Sequence, residues 1–354
     1  MQIKINKIFG KAKSLPLDLF LEKVLYDKNF GYYQKKNPFG KKGDFITAPN
    51  ISNIFCEMIA IWLVSFWESL NKPKKINIVE LGPGNADFSV ILIKTLKNFP
   101  QILKSVNIYL YEKSEKLTKF QKKRISSSKV LWIKNFNEIN KGPVIFFGNE
   151  FLDALPIKQF KKVNGQVFER HVINVKNKVS FVFKKALKND INKLKKYQLF
   201  KKRGLIEFPE YGFKELNNIC SVIRKQNGGV LFIDYGYVSE NKQNTLQSVY
   251  KHKFNDLSKN IGNADITSLV NFDLYRKYFL YKNLFVEKII SQSEFLQKMG
   301  ILERSKMISH KMDYKRKIDL YSRIRRLISP HMMGKTFKVI FAKNKKCKFS
   351  LAFK

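Results

Sequence analysis

The sequence of 354 residues predicts an α/β protein with a doubly wound, mostly parallel sheet. Apolar runs of strand length recur along the chain, most are separated by segments of helix length, and the last two face each other across a short turn. This alternation is typical of a parallel sheet covered on both faces, and the final pair predicts an antiparallel C-terminal edge hairpin. The predicted strands are residues 76–81, 108–111, 130–133, 144–147, 230–233, 337–341 and 349–353.

Segments outside these strands predict the remaining organisation. Residues 15–27 and 54–70 are predicted helices, the second with apolar residues at helical spacing. Residues 158–185 alternate apolar and polar side chains with turn signals, as in an antiparallel insertion. The lysine-rich stretch 186–203 is either a surface helix or a mobile linker. The predicted divisions are a helical N-terminal lid segment, the first part of a ligand-binding core, an inserted β/helical subdomain, and the rest of the core with the hairpin: 1–74, 75–157, 158–226 and 227–354.

Composition indicates a folded globular protein, because 44% of the residues are hydrophobic and 14% are aromatic. No apolar run approaches the ~18 residues that a membrane span needs. The N-terminus resembles neither a secretory signal nor a transit peptide, so we expect a cytoplasmic protein. Three scattered cysteines and four dispersed histidines form no metal-binding pattern, and metal catalysis is not expected.

The formal charge of +40 raises the question of a nucleic-acid partner. Only ten of the 68 basic residues are arginine, and lysine rises together with Asn, Ile, Phe and Tyr, as in a genome biased toward A and T. We therefore favour compositional bias over a nucleic-acid footprint. RNA or an acidic protein partner remains open.

A glycine turn follows the first predicted core strand. Glu80 lies near the end of that strand, Gly82 and Gly84 flank Pro83, and a helical pattern begins at Phe88. Such a turn lets backbone amides approach a ligand, and the helix N-terminus favours a negative group. The third glycine of the dinucleotide fingerprint and the Gly-Lys-Ser/Thr of the phosphate loop are both missing. The turn is either a nucleoside site or a plain structural turn.

Glu112 ends the second predicted strand, about thirty residues after Gly82. A carboxylate there can accept hydrogen bonds from both hydroxyls of a ribose, which favours adenosine binding. The alternative is a solvated loop residue. Pro83 in the turn and the pattern of seven runs closing with a hairpin favour S-adenosylmethionine over NAD.

Two carboxylates follow the strand at residues 144–147, in a chain with only 28 acidic residues. Ligands bind outside the carboxyl ends of parallel strands, so Asn149, Glu150 and Asp153 are candidate site residues. Paired carboxylates can hold a guanidinium in a bidentate geometry. Asp153 could instead cap a helix that begins near Ala154.

Several ordered motifs together resemble the MidA-like methyltransferases, a family that includes the mitochondrial complex I assembly-factor methyltransferase and its bacterial relatives. The resemblance spans nearly the whole chain. The motifs are Tyr26 with Phe30-Gly31-Tyr32-Tyr33, Gly43-Asp44-Phe45-Ile46-Thr47-Ala48-Pro49, Val79-Glu80-Leu81-Gly82-Pro83-Gly84, Asn149-Glu150-Phe151-Leu152-Asp153-Ala154-Leu155-Pro156, Ile233-Asp234-Tyr235-Gly236, His252-Lys253, Ala264-Asp265-Ile266-Thr267 and Met333-Gly334 before Phe337-Lys338-Val339.

This resemblance implies a class I methyltransferase, with a Rossmann-like core, that uses S-adenosylmethionine. It implies that the cofactor contacts Gly43, Asp44, Thr47, Glu80, Gly82, Gly84, Glu112 and Asn149, the first three belonging to the lid. The chain departs from the family at Asn50, where an acid is usual, and at Asn85-Ala86, where Arg-Gly is usual. Alanine suits a position of negative φ, so we still expect cofactor binding.

The resemblance further implies methylation of an arginine in a respiratory complex I subunit, with Asn149, Glu150 and Asp153 on the acceptor side. His252 is either a structural hydrogen-bonding residue or a proton acceptor. Asp234 and Asp265 are candidate substrate-binding residues, although Asp234 could simply end a strand and Asp265 could belong to a turn. Two other functions stay open: an RNA or small-molecule methyltransferase, and a non-catalytic assembly or scaffold protein that retains the cofactor fold.

Overall fold

The computed structural model describes residues 2–35, 47–201, 204–239, 244–251 and 253–354. Its strands are β1 (Ser14–Pro16), β2 (Ile76–Leu81), β3 (Val106–Tyr111), β4 (Val130–Ile133), β5 (Val144–Asn149), β6 (Lys158–Val163), β7 (Gln166–Val175), β8 (Lys178–Lys185), β9 (Leu205–Phe208), β10 (Gly228–Tyr237), β11 (Gln247–Tyr250), β12 (Lys253–Asn255), β13 (Asp265–Thr267), β14 (Val270–Asn271), β15 (Phe285–Val286), β16 (Ile290–Ser291) and β17 (Phe337–Lys343). Its α-helices are α1 (Gln2–Phe9), α2 (Leu17–Tyr26), α3 (Tyr32–Lys35), α4 (Ala48–Ile51), α5 (Asn53–Ser69), α6 (Asp87–Leu96), α7 (Pro100–Ser105), α8 (Glu115–Arg124), α9 (Lys188–Lys196), α10 (Glu210–Gln226), α11 (Phe272–Tyr281), α12 (Gln292–Lys298), α13 (Ile301–Ser309), α14 (Tyr314–Ile328) and α15 (Met333–Thr336).

The central sheet has the strand order β15-β17-β10-β5-β2-β3-β4. Strands β10, β5, β2, β3 and β4 are parallel, and β17 is antiparallel to β10. From β2 the chain winds outward to β4 and then returns to β5 on the other side of β2. The predicted doubly wound sheet is confirmed, and its winding reverses between β2 and β5, where such sheets bind ligands.

Both faces of this sheet are covered, which explains the uninterrupted apolar runs of its strands. Every residue of β2 is buried, and so are residues 144–148 of β5. Helices α5, α6, α12, α13 and α14 contribute to the core on one face, and α10 and α11 cover the other. Helix α5 begins where the Ser52 hydroxyl accepts a hydrogen bond from the Ile54 amide at 3.2 Å, as expected of an N-cap.

The predicted antiparallel insertion is present as β6, β7 and β8, which pair in a meander extended by β9 and β1. Asn164 and Gly165 both have positive φ in the first turn, and Lys176 and Asn177 do so in the second. Helix α9 occupies half of the lysine-rich stretch 186–203 that follows.

One predicted strand is wrong. Residues 349–353 form no strand, and β15 and β16 occupy the edge of β17 instead of a hairpin partner. The apolar side chains of this stretch pack onto a helix: the Phe349 ring lies 5.0 Å from Trp62 and 5.3 Å from Phe66, between centroids. The Trp62 indole also donates to the carbonyl of Leu351 at 3.2 Å. Packing against α5 thus buries the apolar side chains of this run, and the run does not pair with a strand of the sheet.

A small three-stranded sheet, β12-β11-β13, lies between β10 and α11 in the chain. This excursion was not predicted, because its strands are only three or four residues long and carry polar side chains. In the described part of the chain, no helix combines the length and apolar character required to cross a membrane.

Candidate active site

A cavity of about 290 Å³ opens at the carboxyl ends of β2, β3, β5 and β10, on the side where the winding of the sheet reverses. The N-terminal helices and the excursion after β10 complete its wall. Its lining includes Tyr26, Tyr33, Thr47, Gly82, Gly84, Tyr111, Glu112, Ser114, Leu117, Glu150, Phe151, Asp153, Tyr235, Gln247 and Asp265.

The glycine turn lies on the floor of this cavity. Gly82 and Gly84 have φ of 63° and 53°, and a β-carbon on Gly82 would lie 3.2 Å from the Phe151 ring. The turn therefore requires glycine for both conformation and space. The expectation of a negative φ at Ala86 is wrong: its φ is 60°, so alanine bears the left-handed conformation that a glycine would adopt more easily.

Glu112 is held in place at the end of β3. Its oxygens accept hydrogen bonds from the Ser114 amide at 2.8 Å and from the Gln121 side chain at 3.3 Å. Gln121 also donates to the carbonyl of Gly84 at 2.9 Å, so one side chain links the glycine turn to the acid. Burial raises the pKa of Glu112 to about 7, against the opposing effect of these donors.

A second, smaller cavity of about 50 Å³ adjoins the first through Thr47, Gly82, Gly84 and Glu150. Glu80 and Asn149 line it as well. The Ser89 hydroxyl donates to Glu80, and burial raises the pKa of this carboxyl to about 8.

Helix α4 closes over this smaller cavity. The Thr47 hydroxyl donates to Oδ1 of Asn50 at 3.2 Å, and Nδ2 of Asn50 donates to Asp87 at 2.5 Å. Arg124 pairs with the same carboxylate at 2.5 Å and donates to the carbonyl of Asn85 at 2.7 Å. Asn50 thus ties the N-terminal segment to the start of α6, directly after the glycine turn. The predicted lid residues Gly43 and Asp44 lie outside the described residues.

Glu150 follows β5 in a left-handed conformation, with φ of 51°. Its amide donates to the carbonyl of Ile233 at 2.9 Å, and its Oε1 accepts from Nδ2 of Asn149 at 3.1 Å. Burial, with a further contribution from Asp153, raises the pKa of Glu150 to about 8. The three predicted residues Asn149, Glu150 and Asp153 therefore lie together at the junction of the two cavities.

Asp153 is 7% exposed and points into the larger cavity. The Tyr235 hydroxyl donates to its Oδ2, whereas its Oδ1 is buried and has no hydrogen-bond partner in the described part of the chain. Burial raises the pKa of this carboxyl and the Tyr235 hydroxyl lowers it. No helix begins at Ala154, so the alternative role of Asp153 as a helix cap is wrong.

Asp234 is fully buried beneath the loop that carries Asp153. Its Oδ2 accepts from the amides of Leu152 at 2.8 Å and Asp153 at 3.2 Å, and its Oδ1 accepts from the Tyr235 amide at 2.9 Å. Burial and the nearby Asp153 raise the pKa of Asp234, while the amides favour its anion. Its oxygens hold the loop in shape, beneath the residues that line the cavity.

Asp265 reaches the cavity from β13 and is 3% exposed. The Tyr33 hydroxyl lies 3.2 Å from both of its carboxyl oxygens. The Tyr33 ring stacks on Tyr26 with centroids 5.3 Å apart, and the Tyr26 hydroxyl donates to the carbonyl of Ala154 at 2.7 Å. The sequence did not indicate a site role for Tyr26, Tyr235 or Gln247. His252 lies outside the described residues.

The buried acceptors in these cavities fit S-adenosylmethionine. Oδ1 of Asn149 is buried without a hydrogen-bond partner in the described residues, where the amino group of a methionine moiety could donate to it. Glu112 is placed to receive ribose hydroxyls, and the turn at Gly82 and Gly84 leaves room for the chain between them. Together with the strand order, this site defines the class of protein: an S-adenosylmethionine-dependent methyltransferase with the class I fold.

Comparison with known proteins gives the family. The chain belongs to the family described as "Putative S-adenosyl-L-methionine-dependent methyltransferase", whose model matches residues 58–286. The fold is similar to a crystal structure of a Burkholderia thailandensis protein bound to S-adenosyl-homocysteine, with a TM-score of 0.83, 21% identity, and coverage of 99% of this chain and 95% of the other. The predicted fold class, family and cofactor are thereby confirmed.

Curated relatives are similar along most of their length. Protein arginine methyltransferase NDUFAF7, mitochondrial, of Xenopus laevis is 27% identical over 94% of this chain and 83% of its own. The Drosophila melanogaster homolog is 27% identical over 92% and 80%, and the Homo sapiens protein is 27% identical over 90% and 77%.

Proposed function

We propose that this protein N-methylates an arginine of a protein acceptor, such as a subunit of respiratory complex I, and so aids assembly of that complex. The observation that carries the proposal is an acidic acceptor pocket in a chain with a net charge of +40. The names of the curated relatives support the same acceptor class.

The charges that line the larger cavity favour a cationic acceptor. Glu150, Asp153 and Asp265 all present carboxyl groups to it. Lys113 is the cationic side chain among the described lining residues, and it pairs with Glu215 at 2.9 Å. A cation entering this cavity would offset the desolvation that raises the pKa of Glu150, whereas an anion would meet uncompensated repulsion.

The arrangement of these acids suits a guanidinium better than a compact ammonium. A guanidinium is planar and presents several donors, so it can bridge separated carboxylates while its face lies against an aromatic ring. Asp153 and Asp265 both line the cavity, and the stacked pair Tyr26 and Tyr33 lies on the side of Asp265. Lysine has no flat face to place against these rings.

Transfer requires alignment of the acceptor nitrogen and removal of one of its protons. The cofactor supplies a methyl group bound to a positively charged sulfur. The nitrogen–carbon bond forms as the carbon–sulfur bond breaks, and the proton lost by the nitrogen passes to a carboxylate. The Asp153 carboxylate is the proposed proton acceptor: its Oδ2 accepts a hydrogen bond from Tyr235, and its Oδ1 has no hydrogen-bond partner in the described residues. Glu150, beside it, holds the remaining donors of the acceptor.

The test uses S-adenosylmethionine labelled in its methyl group and the complex I subunits of the source organism, each purified singly. We expect label in one subunit, recovered as methylated arginine after hydrolysis and abolished when that arginine is replaced by lysine. Asp153→Asn should lower the rate about 10²–10⁴-fold. The matched control Glu68→Gln removes an exposed carboxylate and should leave the rate unchanged. Label that appears only in RNA, or in no protein, overturns the proposal.

A further inference from the structure

Helices α13 and α14 present an outward surface whose composition differs from the rest of the chain. We define the α14 surface by the exposed residues Met307, Tyr314, Ile318, Tyr321, Arg325 and Arg326. The Ser309 and Tyr321 hydroxyls lie 2.8 Å apart and join the two helices, so these side chains belong to one continuous surface.

Arginine is concentrated here against the compositional bias of the chain. Four of its ten arginines lie within the fifteen residues of α14. A bias toward A and T accounts for abundant lysine but not for a cluster of arginine. Arg316 pairs with Asp313 at 3.2 Å, and Arg323 pairs with Asp319 at 2.9 Å. In the described residues, neither Arg325 nor Arg326 has a carboxylate within ion-pair distance.

The same surface exposes large apolar side chains, and their exposure has no role in holding α14 to the core. Tyr314, Ile318 and Tyr321 are 80%, 52% and 42% exposed and follow one another at positions i, i+4 and i+7 of the helix. Ile324 and Leu327, which lie on a different stripe of the helix, are buried and anchor α14 to the core. A stable amphipathic helix needs only that inner stripe, so the outer one indicates an interaction surface.

The residue types indicate a protein partner. Tyrosine, methionine and arginine are enriched at protein interfaces. Arg325 and Arg326 can each bind a carboxylate in a bidentate geometry, which indicates an acidic patch on the partner.

The location of the α14 surface connects it with the methyl-transfer cavity. Strand β17 begins at Phe337, which pairs with Tyr235 near the carboxyl end of β10, where the cavity opens. Helix α14 ends at Ile328, shortly before this strand. Helix α14 also contacts α4, which closes over the smaller cavity. A protein seated on α14 would thus lie beside the site entrance.

We propose that the α14 surface docks the folded acceptor protein through a carboxylate-rich patch, which brings its arginine to the cavity. This inference rests on the proposed function. It assigns recognition of the acceptor to two parts of the enzyme: the acidic cavity binds the arginine, and the basic, aromatic surface binds the protein that bears it.

The test compares Arg325→Glu/Arg326→Glu with Lys345→Glu/Lys346→Glu. The control makes the same charge change at exposed lysines that follow β17, at the end of the sheet away from the cavity. Calorimetric binding of S-adenosylhomocysteine establishes that both variants remain folded. With purified complex I subunits as the probe, we expect the arginine variant alone to lose at least ten-fold in subunit binding and to show a ten-fold higher KM with little change in kcat. The second variant, Tyr314→Ser/Ile318→Ser, should act in the same direction.

The outcomes separate docking from catalysis. A subunit that is methylated equally well by all variants overturns the docking proposal and leaves the proposed function intact. A subunit that binds through α14 but takes no label supports docking and sinks the proposed function. If no subunit binds the wild-type protein, docking is overturned. Binding to vesicles of equal parts phosphatidylglycerol and phosphatidylcholine, or to RNA, that only the arginine variant loses also overturns it in favour of a phosphate-bearing partner.

Discussion

The Tyr235 hydroxyl donates a hydrogen bond to Oδ2 of Asp153, and Oδ1 of the same carboxyl is buried without a hydrogen-bond partner in the described part of the chain. Tyr235 directly follows Asp234, whose carboxylate binds the amides of Leu152 and Asp153. Two consecutive residues of β10 therefore fix both the backbone and the side chain of the proposed proton acceptor. This relationship makes the protonation of Asp153 experimentally adjustable.

Replacing Tyr235 with phenylalanine should shift the pH profile of methyl transfer. The hydroxyl lowers the pKa of Asp153, so its removal raises that pKa and reduces the ionised fraction at a given pH. We expect the acid limb of the kcat/KM profile to move to higher pH, with a smaller effect above the limb. Tyr237→Phe, in the same strand, should not move it. An acid limb that stays in place in Tyr235→Phe argues against Asp153 as the proton acceptor.

The hydrogen bond between Asn50 and Asp87 should contribute to cofactor affinity. Asn50→Ala removes a donor to a carboxylate, and a bond of this kind is worth about 1.5 kcal/mol or more, which corresponds to roughly a ten-fold weaker Kd. Calorimetry with S-adenosylhomocysteine measures the effect. The exposed neighbour Asn53→Ala should bind normally. A double-mutant cycle with Asp87→Ala that shows no coupling would contradict the proposed tie between α4 and the glycine turn.

Cofactor affinity should fall as the pH decreases through about 7. The pKa of Glu112 lies near this value, and ribose hydroxyls that donate to it favour the carboxylate. Binding below pH 7 must therefore release a proton, whereas binding above it does not. Titrations from pH 6 to 8.5, in buffers of different ionisation enthalpy, count that proton. Glu112→Gln should bind weakly and with a flatter pH dependence; an unchanged slope removes Glu112 from the ribose site.

The stability of the protein without cofactor should decrease from about pH 4.5 to 8. Glu80 has a pKa of about 8 when folded against 4.5 when unfolded, so the folded state binds more protons across this interval and the free energy of unfolding falls as pH rises. Glu112 and Glu150 act in the same direction. Urea unfolding at pH 5.5, 7 and 8.5 measures the trend. Glu80→Gln should flatten it, and Glu68→Gln should not; a wild-type free energy that rises with pH contradicts the prediction.

Local sequence patterns predicted most strands of the central sheet. The runs at 76–81 and 130–133 match β2 and β4, and the turn at Asn164 and Gly165 was evident from its residue types. The run at 349–353 was misleading, because an apolar alternation does not specify whether it is buried against a strand or a helix. At Ala86 the expectation failed because a turn imposes its φ on the residue that occupies it.

The candidate site likewise contains residues that local sequence patterns predict and residues that they do not. Gly82, Glu112 and Glu150 follow strands directly, so the topology alone brings them together. The roles of Tyr33, Asn50 and Tyr235 depend on contacts with residues 232, 37 and 82 positions away, and no local pattern encodes these. Asp234 was predicted as a substrate-binding residue on sequence grounds, and its backbone contacts instead indicate that it supports the loop.

The left-handed backbone of Glu150 should influence which substitutions a directed-evolution screen selects at this position. A non-glycine residue in that conformation destabilises the fold by about 1–2 kcal/mol, so glycine or asparagine at this position should raise the melting temperature. A screen for heat resistance alone would discard the carboxylate, whereas a screen for turnover would retain it. At Glu150, turnover and heat resistance therefore place opposite demands on the same residue.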